Sequence, residues 1–130
     1  MSNAKNVLNF LHQGNNTIPF GDKEYEVKRD AYLQVELFAK EEELIEKHKD
    51  SSAVEKAKAR IDFLYEVFEI YVSKEFAEEV KKLKLSIDDL TFISEVLAKM
   101  SLDKTFDEAV EEIQNKERKN LEVQETVTTA

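Results

Sequence analysis

The sequence predicts an α+β fold that is mostly α, an N-terminal β-hairpin packed on a bundle of about five helices. Three observations carry this. Apolar residues within 17–28 recur at every second position, the period of a strand with one buried face. After Asp30 they recur at three- and four-residue steps, the period of an amphipathic helix. Short polar breaks built on Asp, Ser or Thr punctuate the helical stretches, and these residues accept hydrogen bonds from the free N–H groups of a first helical turn.

Residues 4–11 place Val7, Leu8 and Leu11 on one helical face, and Gly14-Asn15-Asn16 ends that short helix. The hairpin follows. Pairing Phe20 with Tyr25 and Ile18 with Val27 across Gly21-Asp22-Lys23-Glu24 sets all four on one face, with Pro19 on an edge. Because an isolated hairpin is marginal in water, it must lie on the helices or pair with another chain. From an Asp30 N-cap, Tyr32, Leu33, Val35, Leu37, Phe38, Leu44 and Ile45 mark a helix running to about Lys49, with Glu41-Glu42-Glu43 on its wet face. Asp50-Ser51-Ser52 stops it and caps the next, so the two form a helical hairpin.

That second helix, residues 54–72, is the most informative element. Val54, Ala57, Ile61, Leu64, Phe68 and Tyr71 form one stripe, while Phe63, Val67 and Ile70 form another. A helix with two apolar stripes needs partners on two sides. Ser73 precedes a shorter helix carrying Phe76, Ala77, Val80 and Leu83, with lysines at its C-terminal end where the helix dipole favours them. Ser86 opens the next, with Asp89 in the capping-box position and Leu90, Ile93, Val96, Leu97 and Met100 behind it. Thr105 and Glu108 make a full capping box ahead of Phe106, Ala109, Val110 and Ile113. The apolar repeat then fades.

These elements imply one domain over residues 17–113, preceded by a short helix and linker at 1–16 and followed by a frayed or disordered tail at 114–130. The chain has 130 residues, 42% of them apolar, no cysteine and no long apolar run. A soluble protein of the cytoplasm is expected, with no membrane partner. The net charge is -9, and from Asp30 onward 25 acidic residues stand against 15 basic ones. Such a surface repels phosphate backbones, so no nucleic-acid partner is expected either.

The sequence offers little for catalysis. His12 and His48 are the only imidazoles and are far apart, so neither belongs to a helical metal-binding pair. Asp62 with Glu66 and Glu108 with Glu112 lie on polar helix faces, where solvated charge is the ordinary reading. Gly14 and Gly21 are isolated and form no phosphate-cradling loop, and Ser73, Ser86, Ser94 and Ser101 have no base placed beside them. No enzyme, cofactor or metal site is expected. The eight Phe and four Tyr are mostly core. Five apolar residues are nevertheless candidates for an exposed groove that meets a partner: Phe63, Val67 and Ile70 from the second stripe, with Phe92 and Phe106.

The segment Ile18-Pro19-Phe20-Gly21-Asp22-Lys23-Glu24-Tyr25-Glu26-Val27, followed by a helix, resembles the hairpin that opens many small phage proteins encoded between the major tail protein and the tape-measure protein. Tyr71-Val72-Ser73-Lys74-Glu75-Phe76 and the helix opened by Ser86-Ile87-Asp88-Asp89-Leu90 resemble their later helices. The family is that of the phage and prophage tail assembly chaperones. The likeness spans roughly residues 17–98 and departs from the family in lacking a second Gly in the turn and in having Ser73-Lys74 where a Gly-Lys is usual. The resemblance implies a non-enzymatic chaperone that binds the tape-measure protein and keeps it soluble during tail assembly, with the tail-tube protein as a further partner. The hairpin edge and the two-stripe helix suggest a homo-oligomer. The alternative reading is an acidic helical regulator, such as an antirepressor, an anti-defence protein or a DNA mimic, that binds a basic protein. Lysines interleaved with the carboxylates, as at Lys56, Lys58 and Arg60, weaken a phosphate-like charge row.

Overall fold

A computed structural model describes residues 6–7 and 16–129, with side chains described as far as residue 117. The helix expected over residues 4–11 falls largely outside the described residues, and His12 wholly so. The element order is β1 (Thr17–Phe20), β2 (Lys23–Glu26), α1 (Ala31–Lys47), α2 (Ala53–Tyr71), α3 (Lys74–Lys82), α4 (Ile87–Leu102) and α5 (Phe106–Thr129). The fold is α+β and mostly α, an antiparallel two-stranded hairpin followed by five helices.

The hairpin register differs from the expected one by two residues: Ile18 faces Tyr25 and Phe20 faces Lys23. The loop is tighter than a four-residue turn because Gly21, at φ +64°, supplies the left-handed backbone that a two-residue connection needs at its first position. One glycine suffices for such a turn, so the absence of a second costs the hairpin nothing. A slip of two residues keeps every side chain on its face. Accordingly Ile18, Tyr25 and Val27 are still buried together, and Phe20 packs against the same core.

The hairpin is held down by backbone groups that the helices leave free. Asn16 is buried; its carbonyl accepts from Val27 N–H (2.8 Å), and its Nδ2 donates to the Met100 carbonyl in the last turn of α4 (2.6 Å). Arg29 Nε reaches the same carbonyl at 3.3 Å, and Lys28 N–H donates to the Tyr71 carbonyl at the end of α2 (2.9 Å). Carbonyls in the last turns of two helices, which have no partner within the helix, are thereby satisfied by the chain just before α1. Asn16→Ala should therefore cost about 1–3 kcal/mol, because it removes the donor and leaves a polar cavity. Urea denaturation checks this, and an unchanged midpoint would mean that water replaces the amide without loss.

Each helix starts where its capping residue predicts. Asp30 accepts from Tyr32 N–H, Ser52 from Glu55, Ser73 from Phe76 and Ser86 from Asp89. At α5 the box is reciprocal: Glu108 N–H donates to Thr105 Oγ1 (3.2 Å) and Thr105 N–H to Glu108 Oε1 (3.0 Å). Lys99 of α4 holds Glu112 of α5 at 2.7 Å, with Lys104 at 3.6 Å. The Lys99 hydrogen bond and the two positive charges keep the Glu112 carboxyl below its ordinary pKa. A lowered carboxyl pKa stabilises the fold above the unfolded-state value, and the contribution disappears as pH falls through the folded value. Lys99→Met should thus lower the melting temperature slightly at neutral pH and not at pH 3, with the modest size usual for an exposed pair.

The structure carries α5 on through Thr129, where the sequence pattern suggested a frayed tail from residue 114. Residues 114–129 contain neither Gly nor Pro and are rich in Gln, Lys, Glu and Arg, so helix propensity alone permits the extension after the apolar stripe has ended.

The core gathers around Phe68, Phe76, Val80, Leu90, Val96, Leu97 and Met100, all fully buried. Phe76 is its aromatic hub. Edge-to-face contacts join it to Phe20 and Tyr25 of the hairpin and to Phe68 of α2, with ring centroids 5.4, 5.2 and 6.0 Å away. The two-stripe reading of α2 holds for its C-terminal half: Leu64, Phe68 and Tyr71 are buried, and so are Phe63 and Val67. It does not hold for the first two turns, where Val54 and Ala57 are exposed because the α1–α2 hairpin projects beyond the other helices. Among the described residues no helix is long and apolar enough to cross a membrane.

Candidate protein-binding groove

The seven apolar residues read as the core face of α1 divide sharply. Leu37 is buried and Leu33 and Leu44 are half-buried, whereas Tyr32, Val35, Phe38 and Ile45 are 77%, 63%, 67% and 62% exposed. At about 3.6 residues per turn Phe38 and Ile45, seven residues apart, lie nearly in line on the flank beside the contact with α2, whereas Val35 stands further round toward solvent and Tyr32 lies on the other side of the helix. An isolated exposed apolar side chain needs no explanation, but two large ones in line on one flank do.

Phe38 and Ile45 border a groove. Near the C-terminal end of α2, Leu37, Phe63, Val67, Tyr71 and Ala98 form the floor and Phe38 and Leu102 rise on either side, enclosing about 300 Å³. Toward the α1–α2 turn, Leu44, Ala59 and Phe63 continue the floor beside Ile45, with Lys49, Lys56 and Arg60 around the end, in a second hollow of about 340 Å³. Phe63 and Glu41 belong to both hollows, so they form one trough. Measured on α1 from Gln34 to Lys49, the trough is about 22 Å long at the α-helical rise. The opposite flank of the same helical hairpin is different. Its hollow of about 620 Å³ is edged by Lys40, Glu43, Glu55, Lys58, Asp62 and Glu66, charges of both signs. There Lys40 is bonded to Glu66 at 2.7 Å, and that carboxylate raises the ammonium pKa.

Of the five sequence-predicted partner-binding residues, Phe63 and Val67 are brought together in the floor of the trough, where they are 7% and 4% exposed, and the other three are placed elsewhere. Two neighbouring helices, α1 and α4, reach the second stripe of α2 and cover it. Ile70, Phe92 and Phe106 are partly buried against the core and line neither hollow of the trough. The residues missed as surface are Tyr32, Val35, Phe38, Ile45 and Leu102. The available signal was that α1 carries apolar residues over more of its circumference than one neighbour can cover.

Several of the groups considered for chemistry have structural partners. His48 sits in the α1–α2 turn with Nδ1 3.2 Å from Ser51 Oγ. Ser73 and Ser86 are N-caps, Glu66 and Glu112 hold lysines, and Glu108 closes the α5 capping box. Burial raises the pKa of the Tyr71 phenol above its ordinary value, with the Gln34 and Ser101 side chains acting in the other direction. Among the described residues no three His, Cys, Asp or Glu side chains gather as metal ligands would. No protein-family model, curated protein or solved structure matches the chain.

Proposed function

We propose that this protein is a non-enzymatic assembly chaperone of the phage tail type, which covers apolar stretches of the long helical tape-measure protein and keeps it dispersed until tail subunits enclose it. The observation that carries the reading is a preformed apolar trough bordered by the exposed side chains of Phe38, Ile45 and Leu102. A trough of this kind suits an amphipathic helix laid lengthwise, with anchors at three- and four-residue spacing. The net charge of -9 disperses the resulting complexes, since coated helices repel one another. Self-association belongs to the same proposal, because copies placed in series along one partner would meet edge to edge.

Co-expression with the long helical protein encoded next to its gene tests the reading. The chain should shift that protein from the pellet to the soluble fraction, and the paired substitution Phe38→Asp with Ile45→Asp should abolish the shift. If the helical protein is equally insoluble with and without the chain, or if no such gene lies nearby, the reading falls.

A further inference from the structure

The trough is electrically asymmetric in a way that selects its occupant. Residues 47–60, which make the turn end of the α1–α2 hairpin, carry five lysine and arginine residues against two acidic ones, in a protein whose net charge is -9. Three of those cations, Lys49, Lys56 and Arg60, stand around the turn end of the trough. Lys49 is bonded to Glu46 at 3.0 Å, whereas Lys56 and Arg60 have no acidic partner among the described residues. At the other end the only charged residue in the lining is Glu41. One end of the same trough therefore offers an apolar seat between Phe38 and Leu102, and the other offers cations.

We propose that this trough binds one amphipathic helix of a partner protein, about four turns long, in a fixed direction, with its apolar anchors seated between Phe38 and Leu102 and an acidic turn beside Lys56 and Arg60. The inference rests on the protein-binding reading above and adds the charge and polarity of the bound segment. The length follows from the trough, because about 22 Å at the α-helical rise corresponds to about 15 residues. Helical shape follows from the walls: a seam between two packed helices accepts the ridge of a third. The acidic turn follows from charge complementarity, which fixes register and orientation more than raw affinity. Nucleic acid, which would also seek the cations, offers no apolar row to Phe38, Ile45 and Leu102 and is repelled by the remaining surface.

The experiment uses two fluorescein-labelled, hydrocarbon-stapled helical peptides of about 16 residues. Both carry leucines at alternating three- and four-residue steps; one has a cluster of glutamates in a terminal turn and the other has lysines at those positions. Fluorescence anisotropy with the full chain at low salt should show the glutamate peptide binding about tenfold tighter or more. Lys56→Glu combined with Arg60→Glu should reverse that preference, while Phe38→Asp should abolish binding of both peptides. Equal affinities, or a preference that the charge reversal does not change, would overturn the polarity and leave the chaperone reading to its own solubility test. Absence of binding by either peptide would overturn the trough as a helix site. Both outcomes are read against a circular-dichroism melt showing that each variant is folded.

Discussion

Phe76→Ala is expected to lower stability by about 3–5 kcal/mol, a large share of the roughly 5–15 kcal/mol that a domain of this size has in total. The melting temperature should fall on the order of 10–20 °C. Phe76 is fully buried and is the ring that the hairpin and α2 both contact, through Phe20 and Tyr25 on one side and Phe68 on the other. Its removal leaves a cavity at the junction of three elements, and a rigid aromatic cluster collapses poorly into such a space. The hairpin should suffer most. Two short strands are marginal by themselves, so loss of the ring they pack on should expose the amides of residues 18–27 to exchange before the helical amides. A melting temperature within a few degrees of the unsubstituted chain would show that the hairpin is anchored mainly by its Asn16, Lys28 and Arg29 hydrogen bonds.

The particular elements show what a sequence of this kind discloses. Helix starts were legible because a cap is local chemistry: Asp30, Ser52, Ser73, Ser86 and Thr105 each accept from an N–H group two or three residues further on, whatever the rest of the chain does. The hairpin was legible as to face but not register, because a two-residue slip preserves the alternation and only the backbone of Gly21 decides the loop length. α5 continues past the end of its apolar stripe, because the stripe reports packing whereas the backbone follows propensity. The surface was least legible. Periodicity finds apolar faces on α1 and α2 alike, but which face is covered depends on how many neighbours each helix receives. The chain folds α3 and α4 against α2, and α1 packs principally on α2 alone. The residues that looked like surplus on the central helix are therefore covered, and the surplus lies on its outer neighbour.

Phe63 and Phe38 separate these cases most directly. Phe63→Asp should unfold the chain or nearly so: the side chain is 7% exposed beneath α1, and an unpaired carboxylate there costs several kcal/mol or must take up a proton to remain. Phe38→Asp, one wall away in the same trough but 67% exposed, should change stability by no more than about 0.5 kcal/mol while removing the partner's main apolar anchor. Thermal melts of the two variants at low protein concentration provide the comparison. Raising the pH should worsen Phe63→Asp, because a carboxyl whose folded-state pKa is raised by burial destabilises the fold increasingly as solution pH climbs above the unfolded value. Phe38→Asp should show no such trend. If Phe38→Asp loses as much melting temperature as Phe63→Asp, the α1 flank is covered in the free protein. A dependence of that loss on protein concentration would then identify the cover as a second copy of the chain, since only an intermolecular contact weakens on dilution.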